Sequence, residues 1–361
     1  MKIGIIHLGR RGAGVAIAHE LAQALAQKAD VFAVVSSQAD NIGLWRRSGL
    51  PLLETETFDG WISACISLLN FPRLKGLAGQ IIAQKADILL FPMFHLWMPF
   101  LQNHLGKIPS IVFVHDPVPH PGLFPAVIRS FEDLSFRQAA RCVIFSEIFK
   151  NGLQLRGVPM DKVDVIPLGE LSYYQKISAS AGEKKGKKIL LFFGRITEYK
   201  GLGVLLEAFQ PYAGRDDLEL LIAGEGDLSA YSGLIRGLPN VRLENRFIPE
   251  AEVGNLFENA TIVILPYTSA SQSGVIPIAA AFKLPVIATR VGGIPEQVVD
   301  GVSGLLIEPG SVAQLSAAIG RLLVERDLAV CLGNALYEEH VLNRNWSKTA
   351  GRVLEICAGV V

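Results

Sequence analysis

The sequence predicts an α/β protein made of two tandem Rossmann-like βαβ domains, each with a parallel sheet, facing a central cleft. Three observations carry this expectation. Short apolar runs alternate with helix-length segments along the whole chain, the pattern of doubly wound βαβ units. Most of the runs are continuous rather than alternating, as strands buried on both faces require. The pattern also pauses once, in a chain of 361 residues. At roughly 100–200 residues per domain, that length suits about two domains.

The first strand series is Lys2–His7, Val31–Ser36, Asp87–Phe91, Ser110–His115 and Arg141–Ser146. Helix-length segments such as Val15–Lys28 and Phe124–Ala140 lie between them. These residues make a first domain over 1–170. Residues 171–187 are polar, with Ser178-Ala179-Ser180-Ala181-Gly182 and a lysine-rich run, and read as a linker. A second series follows at Lys188–Phe193, Leu218–Ala223, Val241–Phe247, Thr261–Pro266, Pro285–Ala288 and Gly304–Ile307. Its helices fall at about Gly201–Gln210, Glu250–Asn259, Val275–Lys283 and Ser311–Glu325, giving a second domain over 188–340. A last helix, about Trp346–Cys357 within 341–361, is expected to pack back on the first domain.

Composition excludes several classes. Lys+Arg and Asp+Glu both count 34, so no global basic field points to nucleic acid. Cys65, Cys142, Cys331 and Cys357 are scattered, which fits neither a disulfide framework nor a zinc site and suits a reducing compartment. No run reaches the ~18 apolar residues of a spanning helix, and Met1-Lys2 leads straight into a strand. The expected location is cytoplasmic. The apolar stretch Phe91–Phe100 and Arg46-Arg47 beside Trp45 offer a peripheral contact with the inner membrane face, weighed against ordinary packing.

Five constellations could carry chemistry. Gly9-Arg10-Arg11-Gly12-Ala13-Gly14 follows the first strand and opens onto a helix, where glycines let amides approach an anion. Its spacing is G-x-x-G-x-G, and the second strand ends in Ser36-Ser37 without the ribose-binding acid, so a dehydrogenase is disfavoured. Read structurally, it is only a tight turn. His115-Asp116-Pro117-Val118-Pro119-His120 lies at the carboxyl end of a strand, where a histidine could donate to a sugar hydroxyl or leaving group; its alternative is a rigid loop. His7 and His95 read as packing or surface residues.

The strongest constellation is Phe193-Gly194-Arg195-Ile196-Thr197-Glu198-Tyr199-Lys200-Gly201. Two cations flank a turn between a strand and a helix start. Arg195 offers a fork and Lys200 a point charge for diphosphate oxygens. Ser269-Ala270-Ser271-Gln272-Ser273-Gly274-Val275 is either an anion nest or a helix cap at Ser273. Gly292-Gly293-Ile294-Pro295-Glu296 permits close backbone approach, although Glu296 suits a helix start in any case. No P-loop, no Gly-x-Ser-x-Gly and no Asp-x-Asp metal motif occurs.

The ordered series Phe193-Gly194-Arg195…Lys200-Gly201, Ile222-Ala223-Gly224-Glu225-Gly226, Leu265-Pro266-Tyr267, Pro285–Ala288, Gly292–Glu296 and Gly301–Leu305 resembles the family 4 retaining glycosyltransferases of the GT-B fold. Residues His115-Asp116, Val165–Gly169 and Trp346 match more loosely. The resemblance implies a nucleotide-diphosphate sugar (UDP- or GDP-sugar) bound mainly by the second domain, and a glycan or lipid-linked acceptor on the first. Expected catalytic residues are His115, Asp116, Arg195 and Lys200. Expected donor contacts also include Gly12, Gly14, Gly194, Gly224, Phe247, Ile248, Ser271, Gln272, Ser273, Gly274 and Val275. Arg10, Arg11 and His120 are expected on the acceptor side, with no metal and no cofactor beyond the donor.

One departure stands out. The family's glutamate pair, eight positions apart, falls on Ala270 and Ile278, with Ser271 and Gln272 as the nearest substitutes. The leading expectation is a retaining, metal-independent hexosyltransferase of polysaccharide or glycolipid synthesis, with leaving-group stabilisation carrying the chemistry. The lost glutamates motivate a rival, a non-catalytic donor-binding subunit. An epimerase or phosphorylase on the same architecture is a third reading.

Overall fold

The continuous apolar runs become central strands because helices cover both faces of each sheet. In the computed structural model, which describes residues 1–115, 117, 125–177 and 186–361, the chain divides into two units. Unit 1 comprises Met1–Leu168 and Trp346–Val361, and unit 2 comprises Gly169–Asn345.

Unit 1 holds β1 (Lys2–His7), β2 (Asp30–Ser36), β3 (Leu52–Thr55), β4 (Ile88–Phe91), β5 (Ser110–Val114), β6 (Arg141–Ile144) and β7 (Val163–Val165). The strand order is β3-β2-β1-β4-β5-β6-β7, and every pairing is parallel. Unit 2 holds β8 (Lys188–Phe193), β9 (Leu218–Ala223), β10 (Val241–Glu244), β11 (Ile262–Leu265), β12 (Val286–Thr289) and β13 (Leu305–Ile307). Its order is β10-β9-β8-β11-β12-β13, again all parallel. Strand order reverses between β1 and β4 in unit 1 and between β8 and β11 in unit 2. In open α/β sheets, such reversals leave a crevice at the strands' carboxyl ends.

The sequence reading omits β3 and β7. Both are edge strands with half-exposed faces, so neither carries a continuous apolar run. β10 stops at Glu244, short of the expected Phe247, because the chain turns where Arg246 donates to Glu244 and Glu252. The expected linker begins later than its polarity suggests. Tyr173–Ile177 is helical, and Tyr173 and Tyr174 are buried in unit 2. Residues 178–185 lie outside the described residues.

The final helix, Trp346–Ala358, belongs to unit 1 and packs on the helix Ala13–Ala26. Trp346, Ala350, Val353 and Cys357 recur at helical spacing and are all buried, forming one apolar stripe. Lys28 Nζ donates to Ser347 O at 2.9 Å across this contact.

The stretch considered for a membrane surface is partly core, with Met93, Phe94, His95, Leu96 and Phe100 left partly exposed. Phe91, Trp97 and Met98 are buried, Trp97 Nε1 donates to Ser67 Oγ at 2.8 Å, and Trp45 is fully buried. Arg46 is exposed but holds Glu54 in a two-pronged ion pair. No helix among the described residues is long and apolar enough to cross a membrane.

Candidate functional site

Unit 2 gathers its cations where the strand order reverses. β8 ends at Phe193, and Gly194 (φ 116°) turns the chain outward. A Cβ on Gly224, just past β9, would lie 2.1 Å from Gly194 O, so the two loops approach as only glycine allows. Gly201 (φ 71°) starts the helix Leu202–Phe209 and is equally constrained, since a Cβ there would lie 1.8 Å from Pro266 O.

This geometry brings Arg195 and Lys200 to the carboxyl ends of β8 and β11. Arg195 is exposed and makes no hydrogen bond or ion pair with any described residue. Lys200 is held: Nζ donates to Tyr267 Oη at 2.6 Å and lies 4.0 Å from the Tyr267 ring centroid. Tyr267 Oη also reaches Ser273 Oγ at 3.3 Å, and Thr289 Oγ1 donates to Tyr267 O at 2.6 Å. A fixed ammonium beside an uncommitted guanidinium can hold two linked phosphates, one by point charge and one by fork.

The Ser271–Gly274 loop is fixed from behind. Gly292 (φ 50°) passes so close that a Cβ would meet Ala270 O at 1.6 Å, and Gly293 N donates to Ser271 O. Gln297 clamps Ser273 from both sides, accepting from its N–H at 2.9 Å and donating to its C=O at 3.1 Å. His340 Nε2 in turn bonds Gln297 O at 2.7 Å. Ser273 Oγ accepts from Val275 N at 3.3 Å. The Ser273 and Val275 amides bond within the protein, and the helix Val275–Ala281 has seven residues. Ser271 and Gln272 are partly exposed, whereas Ile278 is buried in the core. The second glutamate position therefore carries a packing residue. Phe247 is exposed, but Ile248 is buried, so Ile248 has only its backbone to offer a base.

Unit 1 places His7, His95 and His115 at or just beyond the carboxyl ends of β1, β4 and β5. Burial, and then the neighbouring His115, lower His7 to about 4. Burial, and then His7, lower His95 to about 3. Burial lowers His115 to about 4, opposed by its bond to Pro92. All three rings are neutral at neutral pH. His115 Nε2 lies 2.7 Å from Pro92 O, so that nitrogen carries the proton and donates to the carbonyl. The expected donation from His115 to a leaving group is therefore unavailable at Nε2; Nδ1 is left as an acceptor. His7 is buried with both ring nitrogens unpartnered. Asp116 and His120 lie outside the described residues.

Beside these rings lies a cavity of about 480 Å³, lined by Gly9, Arg10, Arg11, Phe58, Asp59, His95 and Leu96 among others. Arg10 Nη1 donates to Phe58 O at 3.2 Å. Phe58 stacks on His95 with centroids 4.8 Å apart. Gly12 (φ 85°) is exposed at the start of the helix Ala13–Ala26, whereas Gly14 is buried against Met93. Arg10 and Arg11 thus share a wall, and Gly14 serves packing.

Tyr267 and Gln297 are the site residues that the sequence did not disclose. Tyr267 closes the Leu265-Pro266-Tyr267 run, whose composition assigns it no role. Its partner Lys200 is 67 positions away, and Gln297 lies 24 positions from Ser273.

Residues 11–169 match the "Glycosyl transferase 4-like domain" family and residues 187–325 the "Glycosyl transferases group 1" family, which together leave only 170–186 unmatched between 11 and 325. The chain is 25% identical to an uncharacterized glycosyltransferase of Methanocaldococcus jannaschii, over 73% of each chain. It is 27% identical to a D-inositol 3-phosphate glycosyltransferase of Nocardiopsis dassonvillei, over 78% of this chain and 68% of that one. The crystal structure of Anabaena Alr3699/HepE in complex with UDP superposes with a TM-score of 0.76 at 15% identity, covering 99% of this chain and 100% of that one.

Proposed function

Because this chain belongs to the family 4 glycosyltransferases of the GT-B fold, we propose that it moves a hexose from a UDP- or GDP-sugar to a glycan or lipid-linked acceptor, retaining the anomeric configuration without a metal. The observation that carries the donor half is the pairing of Lys200, fixed by Tyr267, with an unspent Arg195 at the β8–β11 reversal. The Anabaena structure of the same fold was solved with UDP, which supports a uridine donor.

In this reading the bond between the sugar anomeric carbon and the diphosphate oxygen breaks, and the electron pair leaves with the diphosphate. Arg195 and Lys200 stabilise that growing negative charge. The acceptor hydroxyl attacks the same face of the oxocarbenium-like sugar, and its proton passes to the departing phosphate oxygen. No strong side-chain base is needed, which suits a site whose glutamate positions are Ala270 and Ile278. Two bound cations take over the charge neutralisation that a metal supplies elsewhere. Ser271 and Gln272 supply the sugar contacts.

The test incubates the protein with UDP-, GDP- and ADP-sugars, with and without EDTA, and measures nucleotide release beside thermal shift. Release from one donor that survives EDTA is expected. Release abolished by EDTA would overturn metal independence. Tight binding with no release, even with lipid and glycan acceptors present, would overturn the transfer reaction.

A further inference from the structure

Lys200 stands at one end of a chain of buried bonds whose other end is His340, a residue outside every motif of the sequence. Tyr267, Ser273, Gln297 and His340 are each at most 3% exposed. From Lys200 Nζ the bonds run to Tyr267 Oη at 2.6 Å and on to Ser273 Oγ at 3.3 Å. The Ser273 backbone meets the Gln297 side chain at 2.9 and 3.1 Å, and Gln297 O meets His340 Nε2 at 2.7 Å. Thr289 already holds the Tyr267 backbone, so the Ser273 arm governs the phenol oxygen.

A histidine is an unfavourable choice for that far end. Burial lowers His340 to about 4, against the pull of its Gln297 bond, so the ring is neutral at neutral pH. A carbonyl only accepts, so Nε2 carries the proton. Nδ1 is then an acceptor shut away from water, with no hydrogen-bond partner among the described residues. A leucine would fill the space with no polar group to desolvate. What histidine adds is one donor aimed at Gln297 O. The backbone is unusual as well. Glu338–Asn343 is a π-helix, a rare conformation that recurs at functional sites. It leads into Arg344, whose Nη2 donates to Glu296 O at 2.9 Å and to Glu339 Oε1 at 2.6 Å. Two successive carbonyls at the end of the helix Ile294–Gln297 are thus held by donors from one segment. Water alone can satisfy a helix end, so capping does not require this pair.

We infer that His340 and Arg344 are positioning residues for the donor site. They fix the backbone of Gln297, its amide fixes Ser273, and Ser273 keeps Tyr267 Oη aimed at Lys200. Tyr267 Oη accepts from Lys200 and has its own proton for Ser273 Oγ. The ammonium is therefore in place before a donor arrives, and a charge set in advance needs no reorganisation as the diphosphate leaves. The effect on catalysis rests on the transferase reading; the effect on Lys200 itself does not.

The test is a double-mutant cycle in the full chain, with His340→Leu and Tyr267→Phe singly and together. Two readouts are taken: steady-state nucleotide release, and trace acetylation of Lys200 followed by mass spectrometry. His340→Leu should lower kcat roughly three- to tenfold, within the range of couplings between linked residues, and move the donor KM less. In the Tyr267→Phe background the same change should lower kcat by less than about twofold, since the bond it acts through is gone. A residue that only supported the fold would cost the same factor in both backgrounds. Lys200, once loosened, should acetylate faster relative to the other lysines in both single variants. His340→Gln, whose amide can donate to Gln297 O, should restore most of the rate. Should His340→Leu fail to fold, Arg344→Ala takes its place in the cycle with the same expectations. Equal losses in both backgrounds, unchanged labelling of Lys200, or a His340→Gln variant as slow as His340→Leu would overturn the inference. If the unaltered chain consumes no donor while the labelling of Lys200 still depends on His340, the transferase reading fails and the effect on Lys200 stands.

Discussion

Arg195→Ala should leave the fold intact and remove most of the rate. The side chain is exposed and touches no described residue through a hydrogen bond or ion pair, so no packing depends on it. Substitutions at such positions usually change stability by less than ~0.5 kcal/mol. The loss on the reaction side is larger. A charge-assisted hydrogen bond to a phosphate oxygen is worth about 1.5–3 kcal/mol, or roughly ten- to two-hundredfold in kcat/KM. Because the leaving diphosphate gains charge as the glycosidic bond breaks, kcat should carry more of that loss than KM. Arg195→Lys should recover part of the rate, since a point charge replaces a fork. The assay is nucleotide release at several donor concentrations, with a thermal midpoint for each variant. Full kcat/KM in folded Arg195→Ala would refute the reasoning, as would a loss of rate that merely tracked a loss of fold.

Tyr267→Phe keeps the ring under Lys200 but removes the oxygen that accepts its proton at 2.6 Å. It should lower kcat by about tenfold, the loss of one hydrogen bond to a charged group, which steady-state kinetics would show. Gln297→Leu strands the Ser273 N–H and C=O in a buried site and should destabilise the chain by about 2–5 kcal/mol, measured by urea unfolding. Acid should weaken unit 1 through His7. Its folded value, about 4, lies below the 6.5 of the unfolded chain, so the unfolded chain takes up the proton first. The associated stability is whole above pH ~6.5 and is lost as pH falls toward 4, by about 2 kcal/mol at pH 5. Urea midpoints at pH 7.5 and 5 should therefore differ more in the native chain than in His7→Asn.

Parallel strands buried on both faces leave an unbroken apolar signature, and this is why β1, β4, β5, β8 and β9 are legible from sequence while the half-exposed edges β3 and β7 are not. The Arg195–Lys200 turn was legible as a candidate, because the two cations lie two and seven residues past a buried strand and flank a helix start. Its supports were not. Tyr267 and Gln297 act through contacts 67 and 24 positions away, and local composition holds no trace of such pairing. Ser273 is ambiguous in the sequence. Its small, polar surroundings suit both a nest and a cap, and its bonds to Gln297 and Val275 come from contacts that composition does not record. The histidines misled by chemistry rather than position: His115 sits at a strand end as expected, yet its Nε2 proton is committed to Pro92.

The return of Trp346–Ala358 to unit 1 has a bearing on how the protein is made. A ribosome delivers all seven strands of the first sheet early, but the helix that covers Ala13–Ala26 emerges only after unit 2 has been synthesised. Unit 1 must therefore wait, with an apolar flank bare, while its neighbour folds during translation. No single cut in the gene yields both units whole: a break near residue 168 would strand the closing helix on the wrong fragment, and an independently expressed first half would need it supplied as a separate peptide.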